Sequence, residues 1–397
     1  MDTKQNFRIS TIDILRALTM LLMIFVNDLW SLTNIPGWLE HTAAAEDGMG
    51  LADTVFPAFL FIAGMSIPLS VQHRIRKGDS TNKILFHIIE RSFALIVMGV
   101  FLVNGEEINE AASGIQRLPW NMICCTAFII LWNSWSKNMN KFLLRSLKIL
   151  AVISLVILAF IYRSGKEGNL HRFATHWWGI LGLIGWAYFI SALVFLIPGN
   201  KFFISITAWL VFLFTCVASH ARFIPPYTLP ANIIAPFGNG SMPAFTMGGV
   251  ITTLTLLHFR QRNAAGKMTV VLLLIAAAFF ISGFYARTFW GISKIRATPA
   301  WVLICSGITI VIFIILYWLV EVNGKANWFK IILPAGNNTL LCYLLPYYAY
   351  GLPMIFHFYL PSFILAGWIG LLKSFLFAMS IVIATGWLGK LGLKLRL

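Results

Sequence analysis

Residues 51–72 read LADTVFPAFLFIAGMSIPLSVQ, twenty-two positions that carry a single charge, Asp53. A helix needs about 20 apolar residues to cross the roughly 30 Å hydrocarbon layer of a bilayer, so this stretch has the length and polarity of a membrane span. The rest of the chain repeats the pattern. Of its 397 residues 59% are hydrophobic and 11% charged, against roughly 45–50% and about 25% in an ordinary soluble domain, which excludes the soluble and disordered classes. Uninterrupted apolar runs predict an all-α, polytopic integral membrane protein of about twelve helices, over 11–30, 51–72, 84–104, 115–135, 144–162, 176–198, 202–220, 241–259, 268–285, 299–321, 336–357 and 362–389.

The 30 Lys and Arg against 14 Asp and Glu give a net charge of +16. In so apolar a chain this excess reads as membrane topology and not as nucleic-acid binding. With the first helix starting inside, nineteen basic residues fall on inner segments and seven on outer ones, which predicts both termini in the cytoplasm. Residues 1–45 superficially resemble a secretory signal, but the gap from Val26 to the Ala43-Ala44-Ala45 stretch is too long for cleavage. No repeat or linker divides the chain, so a single domain over 1–397 is expected. The five cysteines stand in apolar runs without ligand spacing, and no two histidines share a helix face at metal-ligand spacing; neither a disulfide framework nor a metal site is expected.

Ionisable groups are costly inside a bilayer and are functional candidates there by default. Thirteen of the 14 acids precede residue 170, leaving Glu321 alone beyond it. Asp13 and Arg16 share one face of the first helix, and the guanidinium is shaped for phosphate. Asn27-Asp28 opens an outer loop without Lys or Arg that holds His41 among Glu40, Glu46, Asp47 and Asp53. A carboxylate accepting the ring proton of His41 would fix its tautomer for general-base work, whereas Asp53 also has the position of a helix cap. Gln116-Arg117, Asn239-Gly240-Ser241 and Gly336-Asn337-Asn338-Thr339 precede later spans; such residues cap helices and also line polar cavities between helix ends.

The ordered set Ile12-Asp13-Ile14-Leu15-Arg16, Met23-Ile24-Phe25-Val26-Asn27, His41 and Ala52 through Ser66 resembles the opening of the heparan-α-glucosaminide N-acetyltransferase family of transmembrane acyltransferases and its bacterial relatives. Weaker likeness continues through Gln116-Arg117-Leu118, Ile292-Ser293-Lys294 to Thr298-Pro299, and Gly336 through Tyr343, and it is strongest over 8–75. The resemblance implies use of acetyl-CoA from the cytoplasmic side and transfer of acetyl to a sugar amine on the far side. It also implies a catalytic histidine matching His41, with Asn27 beside it.

On that basis the expected catalytic set is His41, Asn27 and Asp53, with Arg16, Arg91, Gln116 and Arg117 toward acetyl-CoA and Asp28, Asp47, Asn337 and Asn338 toward substrate. The expected partners are membrane lipid, an amino-sugar or glycan acceptor and a second copy of the chain in a homodimer, and the expected location is a bacterial inner membrane. Glu46-Asp47-Gly48 departs from the animal pattern, and 176–220 looks like an added helix pair; both bear on the acceptor. The alternatives are O-acetylation of an envelope polysaccharide and transport of a sugar or anion.

Overall fold

The computed structural model describes residues 9–136, 138–166, 168–358 and 360–395. Lys4, Arg8, Lys137, Glu167 and Arg396, which enter the charge counts, lie outside the described residues, as do the chain ends on which the placement of the termini bears. Each of the twelve apolar stretches falls on a helix. These are α1 (Ser10–Asp28), α2 (Ala52–Arg76), α3 (Thr81–Glu106), α4 (Arg117–Trp132), α5 (Lys141–Ile161) and α6 (Ile180–Leu196). They continue as α7 (Lys201–His220), α8 (Ser241–Arg260), α9 (Ala265–Trp290), α10 (Pro299–Tyr317), α11 (Thr339–Ile355) and α12 (Gly367–Lys390). Among the described residues, a hairpin of β1 (Ser164–Lys166) against β2 (Asn169–His171) lies between α5 and α6 and departs from the helical pattern.

Among the described residues, eight segments are long and apolar enough to cross a membrane: α2, α3, α5, α7, residues 229–260 ending in α8, α9, α10 with its following π turn, and α12. Of the other four, α4 and α6 have 16 and 17 residues, α11 has 17 with Pro346 and Pro353 inside, and α1 carries Asp13, Arg16 and Asp28. On α5, α7 and α9 only 17%, 17% and 22% of the apolar window is buried. Helices that are apolar all round yet mostly uncovered require an apolar solvent, and the chain is an integral membrane protein.

The helices define two faces, the near face where α1 begins and the far face where it ends. Because α2 runs back, its first turn is at the far face and its Arg76 end at the near face. It is held in place by α8 through glycine contacts. A Cβ on Gly64 would lie 1.7 Å from the carbonyl oxygen of Thr246, and one on Gly249 would lie 1.9 Å from that of Phe61. The Thr253 hydroxyl donates to the Met65 carbonyl at 2.9 Å. Small residues at such crossings let backbones meet where lipid supplies no hydrophobic drive for association. The isolated late acid also has a structural role: Glu321 accepts from the Thr11 backbone N–H (3.3 Å) and hydroxyl (3.4 Å), filling an orphan donor at the start of α1.

Candidate active site

At the far end of α1 the chain turns after Asp28, which is wholly buried. Tyr350 Oη donates to one carboxylate oxygen (2.8 Å), and Lys373 Nζ (2.8 Å) and Ser374 Oγ (2.5 Å) donate to the other. Both oxygens are thus engaged, and the buried charge is paired, as a low-dielectric site demands. Asp28 ties α1 to α11 and α12. Its neighbour Asn27 is exposed, and no hydrogen bond joins it to His41 among the described residues.

The following loop folds back onto the first turn of α2. Leu51 N–H donates to the Trp38 carbonyl at 2.8 Å. A Cβ at Gly50 would sit 1.9 Å from the Glu40 carbonyl oxygen, so only glycine lets these backbones meet. This closure brings His41 over Asp53, with Nδ1 2.7 Å from Oδ1. The second oxygen of Asp53 accepts from the backbone N–H groups of Thr42 (3.0 Å) and Gly50 (3.1 Å), while Trp301 Nε1 donates to its backbone carbonyl (3.0 Å). The Asp53 side chain is 1% exposed and that of His41 45%. A carboxylate only accepts, so Nδ1 carries the ring proton and Nε2, which has no hydrogen-bond partner among the described residues, presents its lone pair. A buried carboxylate orienting an accessible imidazole is the geometry of a general base.

A second loop, 291–298 between α9 and α10, closes on the first. Asp47 accepts from the Ile292 N–H (2.7 Å) and pairs with Arg287 Nε (2.9 Å), and the Gly48 N–H donates to the Ile292 carbonyl (3.0 Å). The Ile292 N–H bond, then the Arg287 bond, hold the Asp47 carboxyl below the usual carboxylate range. The same loop delivers Lys294, whose Nζ stands 3.3 Å from His41 Nδ1. Burial pushes its ammonium below the ordinary lysine range, and the Asp53 charge opposes that shift.

At the near face, a cavity of about 630 Å³ opens between α1, α2, α3, α6 and the start of α11, with Arg16, His73, Arg74, His87, Arg91 and Asn337 among its lining residues. Arg16 donates to Ser66 Oγ (2.6 Å) and Asp13 (3.1 Å). Arg91 lies over the Tyr188 ring, 4.6 Å from its centroid, and its buried Nε has no hydrogen-bond partner among the described residues. The cavity lining therefore carries three guanidinium groups, Arg16, Arg74 and Arg91, with Glu90 among them, and is basic on balance.

The sequence candidates thus separate by location. His41, Asp53 and Asp47 meet at the far face, and Arg16, Arg91 and Asn337 line the near cavity. Gln116 and Arg117 stand at the far-face start of α4, away from that cavity, where the Arg117 N–H donates to Glu110 (2.9 Å). Asn338 is buried and clasps the C-terminal segment through the Leu393 carbonyl (2.8 Å) and the Leu395 N–H (3.2 Å). Sequence reading did not single out Lys294, Gly50, Trp301 or Arg287 as site residues; for Lys294 a signal existed in the Ile292-Ser293-Lys294 segment, but nothing local tied it to a loop 253 residues away.

Comparison with known proteins adds relatives. The chain is 39% identical over 101 residues to the heparan-alpha-glucosaminide N-acetyltransferase of Mus musculus, covering 24% of this chain and 14% of that one. Against the Homo sapiens protein of the same name it is 37% identical over 101 residues, with the same coverage. The match therefore extends over about a seventh of the length of these relatives. A family profile described as "Domain of unknown function (DUF5009)" matches residues 8–222. That is more than half of the 397 residues, and the chain belongs to the DUF5009 family.

Proposed function

We propose that the protein is a transmembrane acetyltransferase that takes acetyl from acetyl-CoA at the near face and passes it to the amine of a glucosamine-type sugar at the far face. The observation that carries this reading is the pairing of a basic cavity at one face with a carboxylate-oriented, open imidazole at the other. The names of the two mammalian relatives support the same chemistry. The excess of basic residues on near-face segments supports a cytoplasmic near face, the side on which acetyl-CoA is available.

In the cavity, the guanidinium groups of Arg16, Arg74 and Arg91 hold the phosphates of the nucleotide. At the far face His41 Nε2 removes a proton from the acceptor amine as its nitrogen attacks the thioester carbonyl. The C–N bond forms, the C–S bond breaks, and the imidazolium returns the proton to the departing thiolate. Asp53 keeps Nδ1 protonated throughout and stabilises the cationic ring. Such a base contributes about 10²–10⁴-fold to rate. Asn27, exposed at the end of α1, is assigned in this reading to the developing oxyanion.

The test is acetyl transfer from labelled acetyl-CoA to glucosamine and to amino-terminated heparan disaccharides, with wild type beside His41→Ala. Transfer should vanish in the variant while acetyl-CoA binding persists, and the product should be an amide. An ester product would redirect the reading to O-acetylation. A folded wild type that binds no acetyl-CoA would overturn it in favour of transport. Intersecting initial-rate patterns indicate direct transfer and parallel ones an acetyl-imidazole on His41.

A further inference from the structure

His41 Nδ1 faces two groups with opposite demands. Asp53, at 2.7 Å, only accepts hydrogen bonds; the Lys294 ammonium, at 3.3 Å, only donates them. One nitrogen cannot satisfy both at once. The shorter contact and the full set of donors around Asp53 assign the ring proton to the Asp53 side. Lys294 is then left as a positive charge against the edge of an imidazole that is to act as a base.

We propose that Lys294 is a positioning residue for His41: its charge, delivered by the 291–298 loop, opposes a second positive charge on the ring and so keeps the Nε2 lone pair free beside the Asp53 carboxylate. Asp53 alone favours the imidazolium, in which the Nε2 lone pair is occupied. A cation within a few ångströms works against a second positive charge on the ring. The charged groups around His41 come from three elements: Glu40 beside it in its own loop, Asp53 in the first turn of α2, and Lys294. Asp47 is engaged with Arg287, and Arg296 acts on that same carboxylate. Among the described residues, Lys294 is thus the cation in direct contact with the ring. The Asp47 bonds to Ile292 and Arg287 hold the lysine's loop in register, so the same contacts that join the two loops set the charge beside the base.

This inference deepens the acetyltransferase reading, and its primary test does not depend on that reading. Diethyl pyrocarbonate acylates the neutral imidazole, so carbethoxylation of His41, followed on its own peptide by mass spectrometry across pH, reports the unprotonated fraction directly. The full-length protein in detergent is compared with Lys294→Met, Lys294→Gln and Lys294→Arg, each checked for an unchanged melting temperature. Met and Gln should raise the pH needed for His41 labelling, while Arg, which keeps the charge, should leave it in place. The acid limb of kcat/KM for acetyl transfer should move in the same direction. A midpoint that stays put or falls in both neutral variants overturns the role of Lys294. A wild type that shows the labelling shift on substitution yet transfers acetyl to no acceptor overturns the acetyltransferase reading and leaves the role of Lys294 standing.

Discussion

The two polar regions of this protein are built in opposite ways. At the far face, the polar groups beneath His41 find partners within the protein: Asp53 has three donors on its carboxylate and Trp301 on its carbonyl, and Asp47 and Ile292 lock the two loops together. At the near face, the cavity keeps about 630 Å³ of space among arginines, histidines and Glu90. A saturated network holds one reactive atom, Nε2, in one orientation, as catalysis requires. An open, basic cavity leaves room and charge for a ligand that arrives later. Chemistry and binding are therefore separable by mutation.

The sharpest break is expected at Asp53. Asp53→Asn keeps the volume but replaces one acceptor oxygen with a donor, so Nδ1 no longer has an assured acceptor and the ring loses its tautomer and its counter-charge. We expect kcat for acetyl transfer to fall about 10²–10⁴-fold with acetyl-CoA binding unchanged, measured by steady-state kinetics beside equilibrium binding; equal losses in both would contradict the separation. The next largest effect falls on stability. Lys373→Met strips the cation from fully buried Asp28 and should cost about 3–5 kcal/mol, read as a large fall in melting temperature. Asp28→Asn combined with Lys373→Met should recover much of that loss, because no uncompensated charge remains.

The fold was legible wherever one physical requirement acts locally. A membrane helix must be apolar over about 20 consecutive residues, and each such run in the chain is a helix. Charged groups were legible as exceptional and not as to their purpose. Glu321 stood out as the one acid beyond residue 170, yet its use as a cap for Thr11 depends on a contact across 310 residues. Asp28 looked like an opening to the loop, whereas Tyr350, Lys373 and Ser374 occupy it from the last third of the chain. His41 and Asp53 were readable together because 12 residues separate them. Lys294 was not, because its proximity follows from how α9 and α10 pack, which no local pattern encodes. Arg16 and Arg91 share the near cavity while Arg117 stands at the other face, a division set by the direction each helix runs.

The near cavity supplies the complementary test. Arg91→Leu removes from the cavity lining a guanidinium stacked on Tyr188, without touching the far face. Acetyl-CoA affinity should fall about tenfold, close to 1.4 kcal/mol, with kcat at saturation little changed and the pH profile of His41 labelling unmoved. Calorimetry or a fluorescent CoA analogue reads the affinity. A fall in kcat equal to that in kcat/KM would mean that Arg91 acts in the transition state, and the division of labour between the faces would fail.

The smallest effect separates loop register from loop chemistry. Asp47 and Arg287 are roughly half exposed, so their ion pair should be worth no more than about 1 kcal/mol. Asp47→Asn should lower the melting temperature only slightly at neutral pH. The sign of its pH dependence follows from the lowered pKa of Asp47. A carboxylate whose folded pKa lies below its unfolded value contributes stability that is fully present above the unfolded value and is lost as pH falls through the folded one. Wild type and Asp47→Asn should therefore differ at neutral pH and converge in acid, below the ordinary carboxylate range. Transfer activity should drop by only a few-fold in the variant, because the Gly48–Ile292 backbone bond still joins the loops. A loss as deep as that of Asp53→Asn would show that the position of Lys294, and not the His41–Asp53 pair alone, controls the base.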